Sequence, residues 1–287
     1  FKLKGDFGGP LLPNDIKEVE DLIPDSNHLE IDSLKDENVE LVNLEEQYLQ
    51  RAEQFFDLDA IESSGLNLVY DSMFGAGQRA IPSLLPSTRL LHCVNNPGFN
   101  GISPEPIHRN LLELSDYIKN VGDVDCALAT DGDADRIGLY NSKGEFIDSH
   151  HLILLLIHYL VKYKGMSGKV VTAFSCSVKV AKLCKHYNLD HQVVKVGFKY
   201  VAGVMLEEDC LLGGEESGGV AIKGHIPERD GIWMGLVIWE YMAKSGKSIE
   251  SLIQEVYDIV GEFSVARLDL HLAYDQNGES VANFNDV

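Results

Sequence analysis

Asp131, Asp133 and Asp135 stand at alternate positions in DGDADR, directly after the apolar run VDCALAT and before a second one, RIGLY. Three carboxylates converge in a tight turn only if something offsets their repulsion, and Gly132 is expected to let the backbone bend there. A hard divalent cation supplies that offset. Oxygen-only ligands favour Mg²⁺ or Ca²⁺ over zinc, and few protein ligands with a position open to phosphate favour Mg²⁺. Arg136 adds a permanent charged fork suited to a phosphate oxygen. A solvated acidic turn is the alternative. An EF-hand fails on spacing, since its sixth position is Arg136 and its twelfth Ser142. A Mg²⁺-dependent phosphatase also needs an Asp-rich strand end, but its best nucleophile, Asp71, is followed at the partner position by Met73.

A second loop, GGEESGG, places Glu215, Glu216 and Ser217 between glycines at another strand end. Glycines permit close approach of a ligand, while a carboxylate and a hydroxyl are groups that exchange hydrogen bonds with sugar hydroxyls. An exposed glycine-rich hairpin explains the same residues equally simply. Upstream, VGFK supplies Gly197 and Lys199; downstream, GHIPERDG supplies His225, Arg229 and Asp230. Cations are scarce in this chain, so their position at expected strand and helix ends points to anion capture.

The elements around these loops repeat one pattern. LNLVYD, LLHCV and VDCALAT read as strands, separated by helices over Gln78–Leu85 and Ile107–Val121. KVVTAF, HQVVKV and CLLGG repeat the arrangement, with helices over Val178–Tyr187 and Lys199–Glu207, and helices near Gly231–Ala243 and Ile249–Val260 closing the unit. Strands that are apolar throughout and alternate with helices predict two consecutive three-layer α/β domains with mostly parallel mixed sheets. The ends of the two units rhyme, VDCALATDGDADRIGLY against EDCLLGGEESGGVAIKG, as a duplication would leave them. The expected division is 1–46 as a remnant of a first domain and linker, with a helix near Asn14–Leu22. Residues 47–148 form a metal-binding domain, 149–262 a sugar-binding domain and 263–287 the start of a fourth, opening on the period-two strand FSVARLDLHL.

Composition bounds the partners. The chain has 287 residues, 24 Lys and Arg against 45 Asp and Glu, and a formal charge of -21. Such a surface repels nucleic-acid backbones and anionic membranes, and a phosphorylated substrate needs a local cation or metal. The longest apolar run, Leu152 to Val161, contains His158 and is too short to span a bilayer. Five cysteines without CxxC spacing fit reduced thiols in a cytoplasmic protein.

In order, these segments resemble the α-D-phosphohexomutases, the phosphoglucomutase/phosphomannomutase superfamily. FKLKGDFGG is similar to the strand after the family's phosphoserine loop, VYDSMFGAG to its second-domain opening and SPEPIHRNL to its PEP-containing segment. DGDADR resembles the metal loop, VGFKYV a phosphosugar-proximal loop, and GGEESGGVAIKGHIPERDG the sugar-binding loop and the segment after it. The resemblance implies an enzyme that interconverts hexose 1-phosphate and hexose 6-phosphate, glucose favoured and mannose possible, through a phosphoserine and a hexose 1,6-bisphosphate. It implies Mg²⁺ on Asp131, Asp133 and Asp135, and substrate contacts from Arg136, Gly197, Lys199, Gly214, Glu215, Ser217, His225, Arg229 and Asp230. No catalytic residue is assigned within the chain, because the phosphoserine is expected upstream of Phe1; the remaining domains of the same enzyme are the expected partners, and mutase turnover by the chain alone is not expected. Where some relatives carry Lys before DG, this chain has Arg229, which favours phosphate binding over proton transfer. A phosphatase or a non-catalytic sugar-phosphate module remains the alternative.

Overall fold

Short apolar runs, each ended by a glycine or a polar residue, form the strands of two sheets. In the computed structural model, which describes residues 3–26 and 40–266, the strands are β1 (Leu68–Asp71), β2 (Arg89–Leu91), β3 (Cys126–Thr130), β4 (Ile137–Asn141), β5 (Phe146–Ile147), β6 (Lys169–Ala173), β7 (His191–Val194), β8 (Cys210–Gly214) and β9 (Val220–Ile222). The first sheet has the order β2-β1-β3-β4-β5 and the second β7-β6-β8-β9. In each, the three strands around the sheet centre run parallel and the next one turns back antiparallel. The sequence rhyme is therefore also a rhyme of topology: DGDADR links β3 to β4, and GEESGG links β8 to β9.

Around them lie α1 (Pro13–Glu20), α2 (Leu44–Phe55), α3 (Leu58–Glu62), α4 (Ala80–Leu84), α5 (Leu112–Val121), α6 (Ser149–His158), α7 (Lys179–His186), α8 (Phe198–Glu207), α9 (Gly231–Ser245) and α10 (Ile249–Val260). Alternation along the strands divides their faces. Val69, Ala127 and Ala129 join Leu114 and Ile118 of α5 in one core, while Leu68, Tyr70 and Leu128 point into another. Residues of α8 cover the second sheet's outer face through Phe198, Val201 and Ala202 against Val171 and Ala221.

The remaining core is common to both sheets. Helices α6 and α9 are apolar all round and buried along most of their length, which fits helices sandwiched between layers. Helix α9 follows the second sheet in sequence yet packs on β3 and β4 of the first as well as on β9. One continuous cluster runs from Leu128 through Trp233 and Leu155 to Leu212. The two α/β units are thus consecutive in sequence but share an inner layer.

Several expected elements end differently. The strand at LLHCV stops at Leu91, because His92 takes a left-handed φ of 50° and its ring turns onto Asp71. The helix expected from Ile107 begins at Leu112, after a single tight turn over His108–Asn110 whose histidine binds the Tyr140 hydroxyl. The long apolar helix continues beyond His158 as a widened π turn over Tyr159–Tyr163. Of the FKLKGDFGG segment, the described part folds with the next two residues into a small hairpin over 3–11, with Lys4 bridged to Pro10, in place of the expected strand; Phe1 and Lys2 lie outside the described residues. Residues 263–266 carry no strand; the rest of the expected FSVARLDLHL strand, and residues 27–39 of the expected linker, lie outside the described residues.

Glu240 ties the far end of this shared layer together. It is buried on α9 and accepts from the Tyr159 hydroxyl at 2.7 Å and the Asp57 amide at 3.1 Å, with Lys164 at 2.8 Å and Lys244 at 3.1 Å. Burial pushes its carboxyl up, but these partners more than reverse that and hold it at about 2. Its stabilising contribution is therefore present above the unfolded value of 4.5 and is lost as pH falls from there toward about 2. Glu240→Leu leaves the buried Tyr159 hydroxyl and the Asp57 amide without their acceptor and two half-exposed lysines without their carboxylate; urea unfolding at pH 7 is expected to show a loss of about 3 kcal/mol. The variant's stability should also depend less on pH below 4.5 than that of the parent.

Candidate active site

DGDADR leaves the carboxyl end of β3 and returns in β4. The bend falls at Ala134, with φ 60°, and not at Gly132 as expected. Gly132 instead meets the PEP segment: its amide donates to the Pro104 carbonyl at 3.2 Å, and a Cβ there would lie 3.2 Å from Pro104 Cγ. Asp131 is buried, Asp135 half-buried and Asp133 exposed, and one carboxylate oxygen from each lies within 4.8 Å of the others.

Internal cations offset the repulsion of this trio. Arg136 donates through its amide to Asp131 Oδ1 at 3.0 Å and through Nε to Oδ2 at 2.6 Å, and it lies 3.8 Å from Glu105. The expected phosphate fork thus folds back onto the acidic loop. Arg229 reaches across from the other sheet to Asp135 at 2.5 Å. Burial is the main cause that pushes Asp135 up to about 6; Arg229 pulls it down, and Asp131 and Asp133 push it up further.

The chemistry of these donors fits Mg²⁺. All are carboxylate oxygens, each retaining a lone pair beyond its present partners. Three hard oxygen donors that already converge to within 4.8 Å of one another suit a small divalent cation.

The second loop is built in the same way. Glu215 is buried at the end of β8, and its Oε1 accepts the Gly197 amide at 2.7 Å, at the N-terminus of α8. A carboxylate at that end of a helix faces its positive pole. Burial raises the Glu215 carboxyl and the Gly197 bond opposes the rise. The two segments VGFK and GEESGG are thereby joined. Glu216 is buttressed by the hydroxyls of Ser175, which donates to its carboxylate, and Ser149, which donates to its carbonyl. Gly214 lies buried in β8, Ser217 is exposed at the tip, and Lys199 is exposed on the first turn of α8.

The loops of the two sheets touch. Arg136 bridges Gly219, Ile137 N donates to Gly218 O at 3.3 Å, and Gly231 N donates to Ala134 O at 2.9 Å. These contacts need bare backbone. A Cβ on Gly218, whose φ is +90°, would lie 2.7 Å from Ile137 O, and one on Gly231 would lie 2.5 Å from Arg136 O.

His225 and Asp230 do not stand free beside this seam. Asp230 caps α9 through the Trp233 amide at 2.8 Å and accepts from Tyr48 and from His225 Nε2 at 2.9 Å, while the His225 ring stacks on Trp233 at 3.8 Å. Their first task is to hold the loop that carries Arg229. A cleft of about 310 Å³ opens there, lined by Asp133, Asp135, Arg229 and Asp230 together with Glu45 and Tyr48 of α2. Sequence reasoning misses Glu45 and Tyr48, because nothing in an acidic helical segment marks them. Asp71 lines a separate pocket, with its buried carboxylate taken up by the Met73 amide at 2.8 Å and by His92 at 2.9 Å.

Residues 46–144 match the family model phosphoglucomutase/phosphomannomutase, alpha/beta/alpha domain II, and residues 148–260 match domain III of the same family. The chain belongs to the phosphoglucomutase/phosphomannomutase family. It is 32% identical over 216 residues to the phosphoglucomutase/phosphomannomutase of Thermococcus kodakarensis, covering 73% of this chain and 46% of that one. A protein from Thermus thermophilus described as a phosphomannomutase superposes with a TM-score of 0.82 at 32% identity, covering 95% of this chain and 60% of that one. The fold is also that of Aspergillus fumigatus N-acetylphosphoglucosamine mutase, solved in complex with GlcNAc-6P and magnesium, with a TM-score of 0.52 at 15% identity, covering 73% of this chain and 53% of that one. The chain spans about half the length of the curated relatives it matches.

Gly218→Ala drives a methyl group into the seam and strains a left-handed residue. It is expected to cost about 2–4 kcal/mol in urea unfolding, whereas Gly165→Ala, left-handed but with open space around it, should cost about 1 kcal/mol.

Proposed function

We propose that the chain forms the metal- and sugar-holding part of an enzyme that interconverts hexose 1-phosphate and hexose 6-phosphate. One observation carries this reading: a trio of converging carboxylates and a carboxylate-bearing glycine loop, from two different sheets, are fastened side by side by backbone hydrogen bonds. Asp131, Asp133 and Asp135 would hold Mg²⁺, which when bound neutralises charge on a phosphate during transfer. Arg229 stands where it can pair with a phosphate oxygen, Arg136 is committed to Asp131 and braces the metal loop, and Lys199 adds a solvent-facing cation on α8. Glu215 and Ser217 would grip sugar hydroxyls that are equivalent in the two orientations of the substrate, with Gly197 and Gly214 leaving room for the ring.

Transfer passes through a hexose 1,6-bisphosphate, with a phosphoserine supplied by another part of the same enzyme. Glucose is the favoured hexose, on the double acid of the EES loop, and mannose the alternative. Asp230 and His225 hold the Arg229 loop in place, so their contribution is to aim the arginine. Cytoplasmic location fits five free thiols, three of them buried.

Calorimetric titration of the 287-residue chain with MgCl₂ and then with glucose 1,6-bisphosphate tests the reading. Both are expected to bind, the bisphosphate intact, and the exposed Asp133→Asn should weaken Mg²⁺ at least about tenfold without changing the fold. Release of inorganic phosphate would instead favour a phosphatase, and failure to bind either ligand would sink the proposal.

A further inference from the structure

The Arg229 guanidinium sits between two carboxylates and pairs with them unequally. Its outer nitrogen meets Asp135 Oδ2 at 2.5 Å, and its guanidinium lies 5.5 Å from the Phe198 ring centroid. On its inner edge, Nε is buried without a hydrogen-bond partner among the described residues, although Glu228 Oε1 lies 3.5 Å away. A buried, unsatisfied donor beside an anion is costly, and a small rotation toward Glu228 would satisfy it at the expense of the Asp135 pair. One guanidinium is thus shared between two carboxylates, tightly with Asp135 and loosely with Glu228.

The occupant of the other side of Glu228 bears on that competition. Glu228 is buried; its Oε1 accepts the Arg229 amide at 2.9 Å, and its Oε2 pairs with Lys4. Lys4 belongs to the N-terminal hairpin, which is pressed onto the same loop: a Cβ on Gly9 would lie 2.8 Å from Pro227 O, and one on Gly8 2.8 Å from Ile226 Cγ2. Four charges therefore run in line from the hairpin to the acidic loop: Lys4, Glu228, Arg229 and Asp135.

We propose that Glu228 is a positioning residue for Arg229, and that Lys4, by neutralising Glu228, keeps the guanidinium on the Asp135 side, where it can meet a substrate phosphate. Docking of the N-terminal hairpin thereby sets the anion-binding state of the loop it presses on, the one that carries Arg229. The phosphate-binding consequence rests on the mutase reading above; the placement of Arg229 does not.

Two measurements on the 287-residue chain separate these. The ¹H–¹⁵N signal of Arg229 Nε reports whether that donor has gained a carboxylate partner. In Lys4→Met it is expected to move downfield as Glu228 captures the guanidinium, and in the double variant Lys4→Met/Glu228→Gln it should return to the parent position. Calorimetry with glucose 1,6-bisphosphate should show about tenfold weaker binding for Lys4→Met, with restoration in the double variant and with Lys4→Arg keeping parental affinity. An Arg229 signal that does not move in Lys4→Met, or a double variant as weak as Lys4→Met, overturns the proposal. If no protein binds the bisphosphate but the Arg229 signal shifts as stated, the mutase reading fails and the positioning role stands.

Discussion

The site depends on one seam, where the backbone leaving DGDADR runs against the backbone leaving GEESGG. Two amides and a bridge join residues 134–137 to residues 218, 219 and 231, and the residues facing across it are glycines because nothing larger fits. The acidic loop does not balance its carboxylates alone. Asp131 leans on Arg136 of its own loop, but Asp135 needs Arg229 from the other sheet, and the Arg229 stem in turn lies against Gly219. A chain of net charge -21 has few cations to spend. Pressing the loops together lets each arginine serve more than one carboxylate, which is how an acidic protein can gather acids without a scattered surplus of bases.

The shared inner layer makes that seam rigid. Loops on two independently tumbling domains would lose orientational entropy on meeting. Helix α9 removes that cost, because it starts at Gly231 in the seam, packs along β3 and β4, and touches β9 on its other flank. Its cap, Asp230, is bound by Tyr48 and His225, so the first turn of the helix, the loop carrying Arg229 and the cleft wall from α2 form one hydrogen-bonded unit.

Much of this is legible in the sequence because it rests on local pattern. Strands buried on both faces announce themselves as unbroken apolar runs, and Asp131, Asp133 and Asp135 are neighbours in sequence, so their convergence needs only a turn. The illegible part rests on distance in sequence. Lys4 and Glu228 are 224 positions apart, and Tyr48 and Asp230 are 182 apart; no periodicity relates such pairs. Charge and position make Arg136 a phosphate fork on paper, yet a nearby buried carboxylate outcompetes solvent for a guanidinium, and in the fold Asp131 takes it first. Residue type alone makes Gly132 the bend; the constraint there is the approach of Pro104, and the left-handed backbone passes to Ala134. His92 ends a strand three residues early for a reason only the fold reveals, the pull of buried Asp71.

The repeated topology explains why the two loops resemble each other and yet diverge in chemistry. In each sheet the third parallel strand is followed by a tight loop and an antiparallel return, so each sheet presents one polar loop at its carboxyl edge. Two copies facing each other across a common helical layer bring those edges together with no further invention. The partners within reach then decide what each can hold. Asp131, Asp133 and Asp135 share one turn with two arginines near it, so their charge stays concentrated and suits a small hard cation. Glu215 instead directs its charge at the start of α8 and Glu216 turns its carboxylate to the Ser175 hydroxyl, leaving a loop whose remaining groups are a hydroxyl and bare backbone, suited to a neutral hydrogen-bonding ligand. Two loops of different chemistry can thus arise from one structural unit, differing chiefly in where each carboxylate finds its countercharge.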